Sequence, residues 1–161
     1  MKQQFAFNYE TFPPISCLNT PLGELAKAAK AAIELAHAPD SNFKVGAALW
    51  MADGELLTGA NQENASFPAG LCAERVVLAT ASSQASGQAI QAIAICYESI
   101  RSGKVSDKIL SPYGICRQSL LEVSDVQEVP IQVLMIAPSG RCILLNTVEH
   151  LLPLGFKANF L

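Results

Sequence analysis

The residues with the clearest chemical potential in this sequence are a cysteine and a glutamate at one predicted helix start. Cys72, Ala73 and Glu74 follow a Pro- and Gly-containing break at 67–70 and open an apolar stretch typical of a buried helix. Unpaired backbone N–H groups and the positive end of the helix dipole lower the pKa of a thiol at such a position. Cys72 is therefore a candidate metal-binding thiolate with a carboxylate in the same turn.

A second predicted helix start carries another cysteine. The segment 111–118, SPYGICRQ, supplies Ser and Pro as start signals before Cys116, and apolar residues recur at helical spacing after it. Two such starts could converge on one metal ion. The remaining cysteines, Cys17, Cys96 and Cys142, lack these surroundings and are interpreted as ordinary small apolar side chains.

Composition limits the classes of function. The 161 residues are 50% apolar and 16% charged, which predicts one domain, 1–161, with an extensive core. A net charge of −3 without a basic tract gives nucleic-acid binding little electrostatic support. No apolar run is long enough to cross a membrane. Five cysteines without framework spacing or a preceding signal peptide predict a reduced, cytoplasmic protein, and a small molecule is the expected partner.

Apolar periodicity and turn signals predict an α-ββ-α-β-α-β-β order of elements after an extended N-terminal arm, 1–20, that packs by its aromatic rings. The predicted elements are helix 21–38, strands 43–50 and 55–59, a helix from Cys72, a buried strand 89–97, a polar connection 98–111, helix 115–123, strands 130–137 and 141–145, and a short helix 147–153 with Thr147 at or beside its N-cap. This order predicts an α/β fold.

Four segments together carry a family resemblance: SNFKVGAAL at 41–49, GANQENASFPAGLCAER at 59–75, SPYGICRQ at 111–118 and LLPLGF at 151–156. On these segments the chain resembles the small, homotetrameric type of zinc-dependent cytidine deaminase, from about Glu24 to Phe156. The resemblance implies a three-layer α/β/α fold with a five-stranded mixed sheet, assembly as a homotetramer, and hydrolytic deamination of cytidine or deoxycytidine.

The resemblance also implies a zinc centre at the two helix starts. Cys72 and Cys116 would be zinc ligands. Glu74 would be the proton shuttle, taking a proton from the metal-activated water and returning protons to the ring nitrogen and the leaving amine. These roles suit the chemistry, because a metal lowers the pKa of its bound water and a carboxylate can accept and return protons.

The same resemblance implies the residues that hold the nucleoside. Phe43 would pack near it, Asn61 and Glu63 would bind the ribose hydroxyls, and Ala73 would contact the base through its backbone. Arg75 would temper the charge of the zinc thiolates. Phe156 would line the site of a neighbouring subunit, which makes the homotetramer part of the active site.

The chain departs from the family pattern at one expected zinc ligand. Pro-Cys-x-x-Cys is expected, and Tyr113 stands where the first of these cysteines belongs. His37 and His150 do not lie in turns that the resemblance brings to the metal. Three interpretations are open at this point: a zinc deaminase that tolerates Tyr113, a homologue that binds a nucleoside without deaminating it, and a pocket with metal-free nucleoside chemistry.

Overall fold

The structure is a computed structural model that describes residues 1–14, 22–101, 104–105 and 107–157. Three features interpreted from the sequence lie outside the described residues: Cys17, Pro21 at the start of the first predicted helix, and the end of the tail at Phe160 and Leu161. No helix within the described ranges is long and apolar enough to span a membrane.

Within the described residues the chain forms three α-helices and seven strands. The helices are α1 (Leu22–Ala32), α2 (Ala73–Gln84) and α3 (Gly114–Gln127). The strands are β1 (Glu10–Phe12), β2 (Phe43–Met51), β3 (Leu56–Ala60), β4 (Ile90–Arg101), β5 (Lys104–Val105), β6 (Gln132–Ile136) and β7 (Cys142–Leu145). Short 3₁₀ helices occupy Ile33–Leu35, Phe67–Ala69 and Val148–Leu151, the last with Thr147 as its N-cap, as predicted.

The strands form an open mixed sheet in the order β1-β7-β6-β4-β2-β3. Strands β4 and β6 run parallel, and the other neighbouring pairs run antiparallel. The predicted mixed sheet is confirmed, but among the described residues it has six strands and not five. The additional strand, β1, lies within the predicted N-terminal arm, where it pairs with the free edge of β7 so that Glu10 faces Leu144.

Three layers result from the alternation of side chains along the strands. Ala47 and Leu49 of β2 belong to the core cluster that contains α2 and α3, and Ala48 between them belongs to the cluster that contains α1. In the same way, Ile93 of β4 packs in the cluster with α2 and α3, and its neighbour Ala94 packs in the cluster with α1. The sheet therefore separates α1 from α2 and α3, which confirms the predicted α/β/α arrangement.

Helix α1 approaches β2 closely at a glycine. A Cβ atom added at Gly46 would lie 2.2 Å from the Ala29 carbonyl oxygen and 2.8 Å from the Ile33 nitrogen, both backbone atoms. No side-chain rotation can relieve these contacts. The position accepts only glycine as long as α1 keeps its place on the sheet.

We expect Gly46→Ala to lower the free energy of unfolding by about 1–3 kcal/mol, because overpacking forces backbone shifts. Gly114→Ala is the matched control, since no atom lies within 4 Å of a Cβ added there and alanine favours a helix. Urea unfolding of the two variants beside the wild type measures the difference. Equal stability of Gly46→Ala and the wild type would contradict the close approach of α1.

The connection predicted at 98–111 contains regular structure. Strand β4 continues to Arg101 and pairs with β5, so part of the segment is a short antiparallel ribbon. The remainder is tied to the sheet, because the Tyr97 hydroxyl donates to the Lys108 carbonyl over 2.7 Å and Asp107 pairs with Arg141 over 3.0 Å. These contacts fix the chain that leads into α3.

The first helix is shorter than predicted. Helix α1 ends at Ala32 and passes into the 3₁₀ turn, and the predicted helical residues 36–38 leave it as extended chain. The reason is a backbone pairing that the sequence does not display: His37 forms an isolated parallel bridge with Gln62. This bridge places the segment after α1 beside residues 61–63.

Candidate active site

The two cysteine-bearing helix starts lie side by side. Cys72 is the N-cap of α2 and Tyr113 is the N-cap of α3, which places Cys116 in the first turn of α3. Both helices pack on the same face of the sheet. The Cys72 and Cys116 sulfur atoms and a Glu74 carboxylate oxygen all lie within 4.8 Å of one another. Chain segments distant in sequence thus form one cluster of donor atoms.

The two thiols differ in their tendency to ionise. A hydrogen bond from the Cys116 thiol lowers the pKa of Cys72 to about 7, against the opposing effect of burial, and the charge of Arg75 acts in the same direction as the hydrogen bond. The same thiol interaction, together with burial, raises the pKa of Cys116. In the metal-free chain Cys72 is therefore the thiol that ionises more readily, and Cys116 is the donor of the hydrogen bond between them.

Glu74 occupies an unusual environment for a carboxyl group. Only 4% of the residue is exposed, and it lies in the first turn of α2. Burial raises the pKa of Glu74, because a low-dielectric environment disfavours the charged form. A carboxyl group with a raised pKa, beside thiols that could hold a metal ion, suits proton transfer.

The donor atoms of the cluster fit a zinc ion. Thiolate sulfur and carboxylate oxygen are both zinc ligands, and Cys72, Cys116 and Glu74 supply them within one small volume. Tyr113 lies at the mouth of this volume with 73% of its surface exposed. The cluster therefore offers two thiols and a carboxyl group, and Tyr113 lines the same cleft as Cys72 and Glu74.

A cleft of about 790 Å³ opens over the cluster and has the size of a small-molecule site. Its lining includes Phe43, Asn61, Glu63 and Ala73 together with Cys72, Glu74 and Tyr113. The Phe43 ring stacks on Tyr97 with centroids 5.1 Å apart. One aromatic wall and several polar groups thus share the space next to the donor atoms.

Asn61 joins β2 to the end of β3. Its Oδ1 accepts from the Val45 N–H over 2.7 Å, and its Nδ2 donates to the Phe43 carbonyl over 2.9 Å. The side-chain amide therefore substitutes for a strand partner at the start of β2. It fixes the backbone that carries the Phe43 ring at the cleft.

Glu63 is held by the turn that precedes β2. One carboxylate oxygen accepts from the Asp40 N–H over 2.8 Å and the Ser41 N–H over 3.4 Å, and the other accepts from the Ser41 hydroxyl. The side-chain hydrogen bond from Ser41, more than any other contact, lowers the pKa of Glu63. The sequence marked 40–42 only as a turn, and nothing local indicated this contact.

Two other predicted site residues lie outside the cleft lining of their own chain. Arg75 is half-buried in the first turn of α2, and its charge lowers the pKa of Cys72. Phe156 has 56% of its surface exposed, and its carbonyl accepts from Gln118 of α3 over 2.9 Å. The structure thus places Phe156 beside α3 with its ring at the molecular surface.

Arg117 is a supporting residue that sequence reasoning missed. Its guanidinium donates to the Pro112 carbonyl over 2.7 Å, to the Leu151 carbonyl over 3.1 Å and to the Ser111 hydroxyl over 3.1 Å. These bonds fix the turn that carries Tyr113 into α3. Its position directly after Cys116 was the only feature of the sequence that could have indicated a role near the site.

The comparisons with known proteins agree with this architecture. Residues 21–133 match the family described as the cytidine and deoxycytidylate deaminase zinc-binding region. A cytidine deaminase of Halalkalibacterium halodurans is 36% identical, over 69% of this chain and 88% of that protein. A probable cytidine deaminase of Dictyostelium discoideum is 32% identical, over 65% of this chain and 67% of that protein.

Solved structures give the same result. The cytidine deaminase of Burkholderia pseudomallei superposes with a TM-score of 0.70 at 38% identity, over 83% of this chain and 97% of that one. The enzyme of Mycobacterium tuberculosis superposes with a TM-score of 0.64 at 32% identity, over 86% and 98% of the two chains. The chain therefore belongs to the cytidine and deoxycytidylate deaminase zinc-binding family.

Proposed function

We propose that this protein is a hydrolase that deaminates cytidine or deoxycytidine to uridine or deoxyuridine with release of ammonia. The observation that carries the proposal is the cluster of Cys72, Cys116 and Glu74 donor atoms, of which Cys72 and Glu74 line a nucleoside-sized cleft. The named relatives favour this activity over nucleoside binding without deamination and over metal-free chemistry.

Cys72 and Cys116 would hold a zinc ion through their sulfur atoms. When bound, zinc lowers the pKa of water toward neutrality and so supplies a nucleophile at neutral pH. The thiol pair supports this assignment, because its mutual hydrogen bond already favours a thiolate at Cys72. Arg75 would offset part of the negative charge of two ionised thiols.

Glu74 would move the protons of the reaction. It would accept one proton from the attacking water and pass it to the ring nitrogen. It would then take the proton of the new C4 hydroxyl and transfer it to the amino group, which leaves as ammonia while the carbonyl forms. Its burial supports this role, because burial raises the pKa of Glu74 and so favours the protonated form that can return a proton to the substrate. Each transfer requires the Glu74 carboxylate to lie close to the metal-binding sulfur atoms, and it lies within 4.8 Å of both.

The nucleoside would lie along the cleft above these groups. Phe43 would pack against it, the backbone at Ala73 would contact the base, and Asn61 and Glu63 would bind the sugar hydroxyls. All four residues line the cleft, which supports this arrangement. The cleft ends in exposed apolar side chains, so the site of one chain has an open side.

A homotetramer would close that side. Large apolar side chains are exposed at the cleft or beside α3, and such surface favours self-association; they are Phe67, Leu71, Tyr113, Ile115, Leu154 and Phe156. In this assembly the Phe156 ring would line the cleft of a neighbouring subunit. A single domain over 1–161 and a cytoplasmic location stay predictions from the sequence.

Tyr113 would stand at the position where the family has a third cysteine ligand. Its place at the N-cap of α3, three residues before Cys116, and in the lining of the cleft that Cys72 and Glu74 share supports this interpretation. A site with two thiolates should hold zinc less tightly than the three protein ligands usual at catalytic zinc.

The test is deamination of cytidine by the purified protein with zinc added, measured as uridine and ammonia formed in equal amounts. Cys116→Ala should abolish both zinc binding and turnover. Cys142→Ala is the matched control, because Cys142 is equally buried on the far face of the sheet. Absence of uridine from zinc-saturated wild type would refute the proposed function.

A further inference from the structure

A serine before β2 connects two walls of the cleft. The Ser41 hydroxyl donates to Oε1 of Glu63 and accepts from the Phe43 N–H over 3.0 Å. The three residues all line the cleft. We propose that Ser41 is a positioning residue that fixes the Glu63 carboxylate for a sugar hydroxyl of the nucleoside, an inference that rests on the function proposed above.

The hydrogen bonds leave Glu63 little freedom. An ionised carboxylate only accepts hydrogen bonds and has about four lone-pair positions. The Asp40 and Ser41 N–H groups occupy those of Oε2, and the Ser41 hydroxyl occupies one on Oε1. One acceptor position therefore remains on Oε1, with a direction that the turn determines.

The turn that presents Ser41 is itself constrained. Asn42 has a φ of 53°, in the left-handed region that asparagine tolerates better than most residues. Its N–H donates to the Ala38 carbonyl over 3.1 Å, which closes the turn. Because the Phe43 N–H fills an acceptor position of the Ser41 oxygen, the hydroxyl hydrogen is left to point at Glu63.

The backbone beneath this contact is also tied down. The Glu63 N–H donates to the His37 carbonyl over 2.8 Å, and the His37 N–H donates to the Asn61 carbonyl over 3.0 Å. Segments 37–43 and 61–63 therefore form one rigid wall. Within it, the Ser41 hydroxyl is the side-chain group that determines the direction of the Glu63 carboxylate.

Removal of the hydroxyl should weaken nucleoside binding without slowing chemistry. We expect Ser41→Ala to raise KM for cytidine by about 10-fold with kcat nearly unchanged. The reason is that the charged Glu63 carboxylate loses the hydrogen bond from the Ser41 hydroxyl and, with it, its fixed orientation. Ser41→Thr, which keeps a hydroxyl, should restore KM. Ser83→Ala, on an exposed part of α2, is the control for a serine outside the wall.

A double-mutant cycle tests whether Ser41 acts through Glu63. Glu63→Ala should raise KM at least as much as Ser41→Ala, and the double variant should be no worse than Glu63→Ala alone. For 2′,3′-dideoxycytidine, which keeps the 5′-hydroxyl but lacks the 2′- and 3′-hydroxyls, Ser41→Ala should leave KM unchanged. Circular dichroism and melting temperature confirm that each variant is folded.

The outcomes separate this inference from the proposed function. A wild type that deaminates cytidine while Ser41→Ala keeps its KM, or multiplies the effect of Glu63→Ala, would overturn the positioning role alone. A zinc-saturated wild type that neither binds nor deaminates cytidine would overturn the proposed function and this inference with it. Non-additive loss that disappears with the dideoxynucleoside would support both.

Discussion

Replacing Glu74 by glutamine is expected to lower kcat for cytidine by about 10²- to 10⁴-fold, the range that positioned acid–base groups supply. Glutamine has nearly the same shape and can still form hydrogen bonds in the buried first turn of α2, but it cannot accept or return a proton. Cytidine binding should persist, because the proposed sugar and ring contacts come from Phe43, Asn61 and Glu63. Uridine formation and calorimetric titration with cytidine measure the two effects.

Stability serves as the internal control for that variant. Burial raises the pKa of Glu74, so in the metal-free folded chain the ionised form is disfavoured and the stability contributed by this group falls as pH rises above the ordinary carboxyl value. Glu74→Gln should therefore be at least as stable as the wild type at neutral pH. Glu55→Gln, an exposed position in the β2–β3 turn, controls for the loss of a charge. A Glu74→Gln protein with kcat close to wild type would remove Glu74 from the mechanism.

Replacing Tyr113 by cysteine is expected to raise zinc affinity by more than about 10-fold, since loss of even an outer-shell partner changes metal affinity by about 10–100-fold. The change adds a third thiol at the N-cap of α3, in the same helix start as Cys116, whose sulfur atom lies within 4.8 Å of the Cys72 sulfur atom. Competition with a chromophoric chelator at fixed pH measures the affinity. The zinc content of protein purified without added metal measures its consequence.

Tyr113→Phe shows whether the phenol oxygen takes part. The ring is largely exposed, so we expect Tyr113→Phe to bind zinc as tightly as the wild type. A loss of affinity in Tyr113→Phe would identify the phenol as a ligand. Equal affinity in Tyr113→Cys and the wild type would mean that the wild-type shell is already complete, which contradicts a missing third ligand.

Local patterns in the sequence determined most of the elements and both helix starts. Cys72 at the N-cap of α2, with Glu74 in its first turn, follows from residues close together in the chain, because caps and breaks depend on near neighbours. The order of helices and strands was confirmed for the same reason: periods of about 3.6 and 2 are properties of short windows. The residues able to bind a metal could therefore be named from the sequence.

Two strands are too short to show a periodic pattern of apolar residues, and they were not predicted from the sequence. Strand β1 has three residues, and its partner β7 lies near the other end of the chain. Strand β5 has two residues and pairs with the end of β4 within a segment that appeared polar and irregular. In both cases the free edge or end of another strand decided the conformation, and no pattern within the segment itself could indicate it.

The candidate site also combines features that the local sequence determines with contacts that depend on tertiary packing. The sequence by itself determined that Cys72, Glu74 and Cys116 stand at helix starts. Only the tertiary structure decided that the Ser41 hydroxyl meets Glu63 and that the Asn61 amide bridges β2, because these bonds join residues 22 and 16–18 positions apart. Such contacts depend on how α1, the sheet and the turns pack together, and that packing is a property of the whole chain.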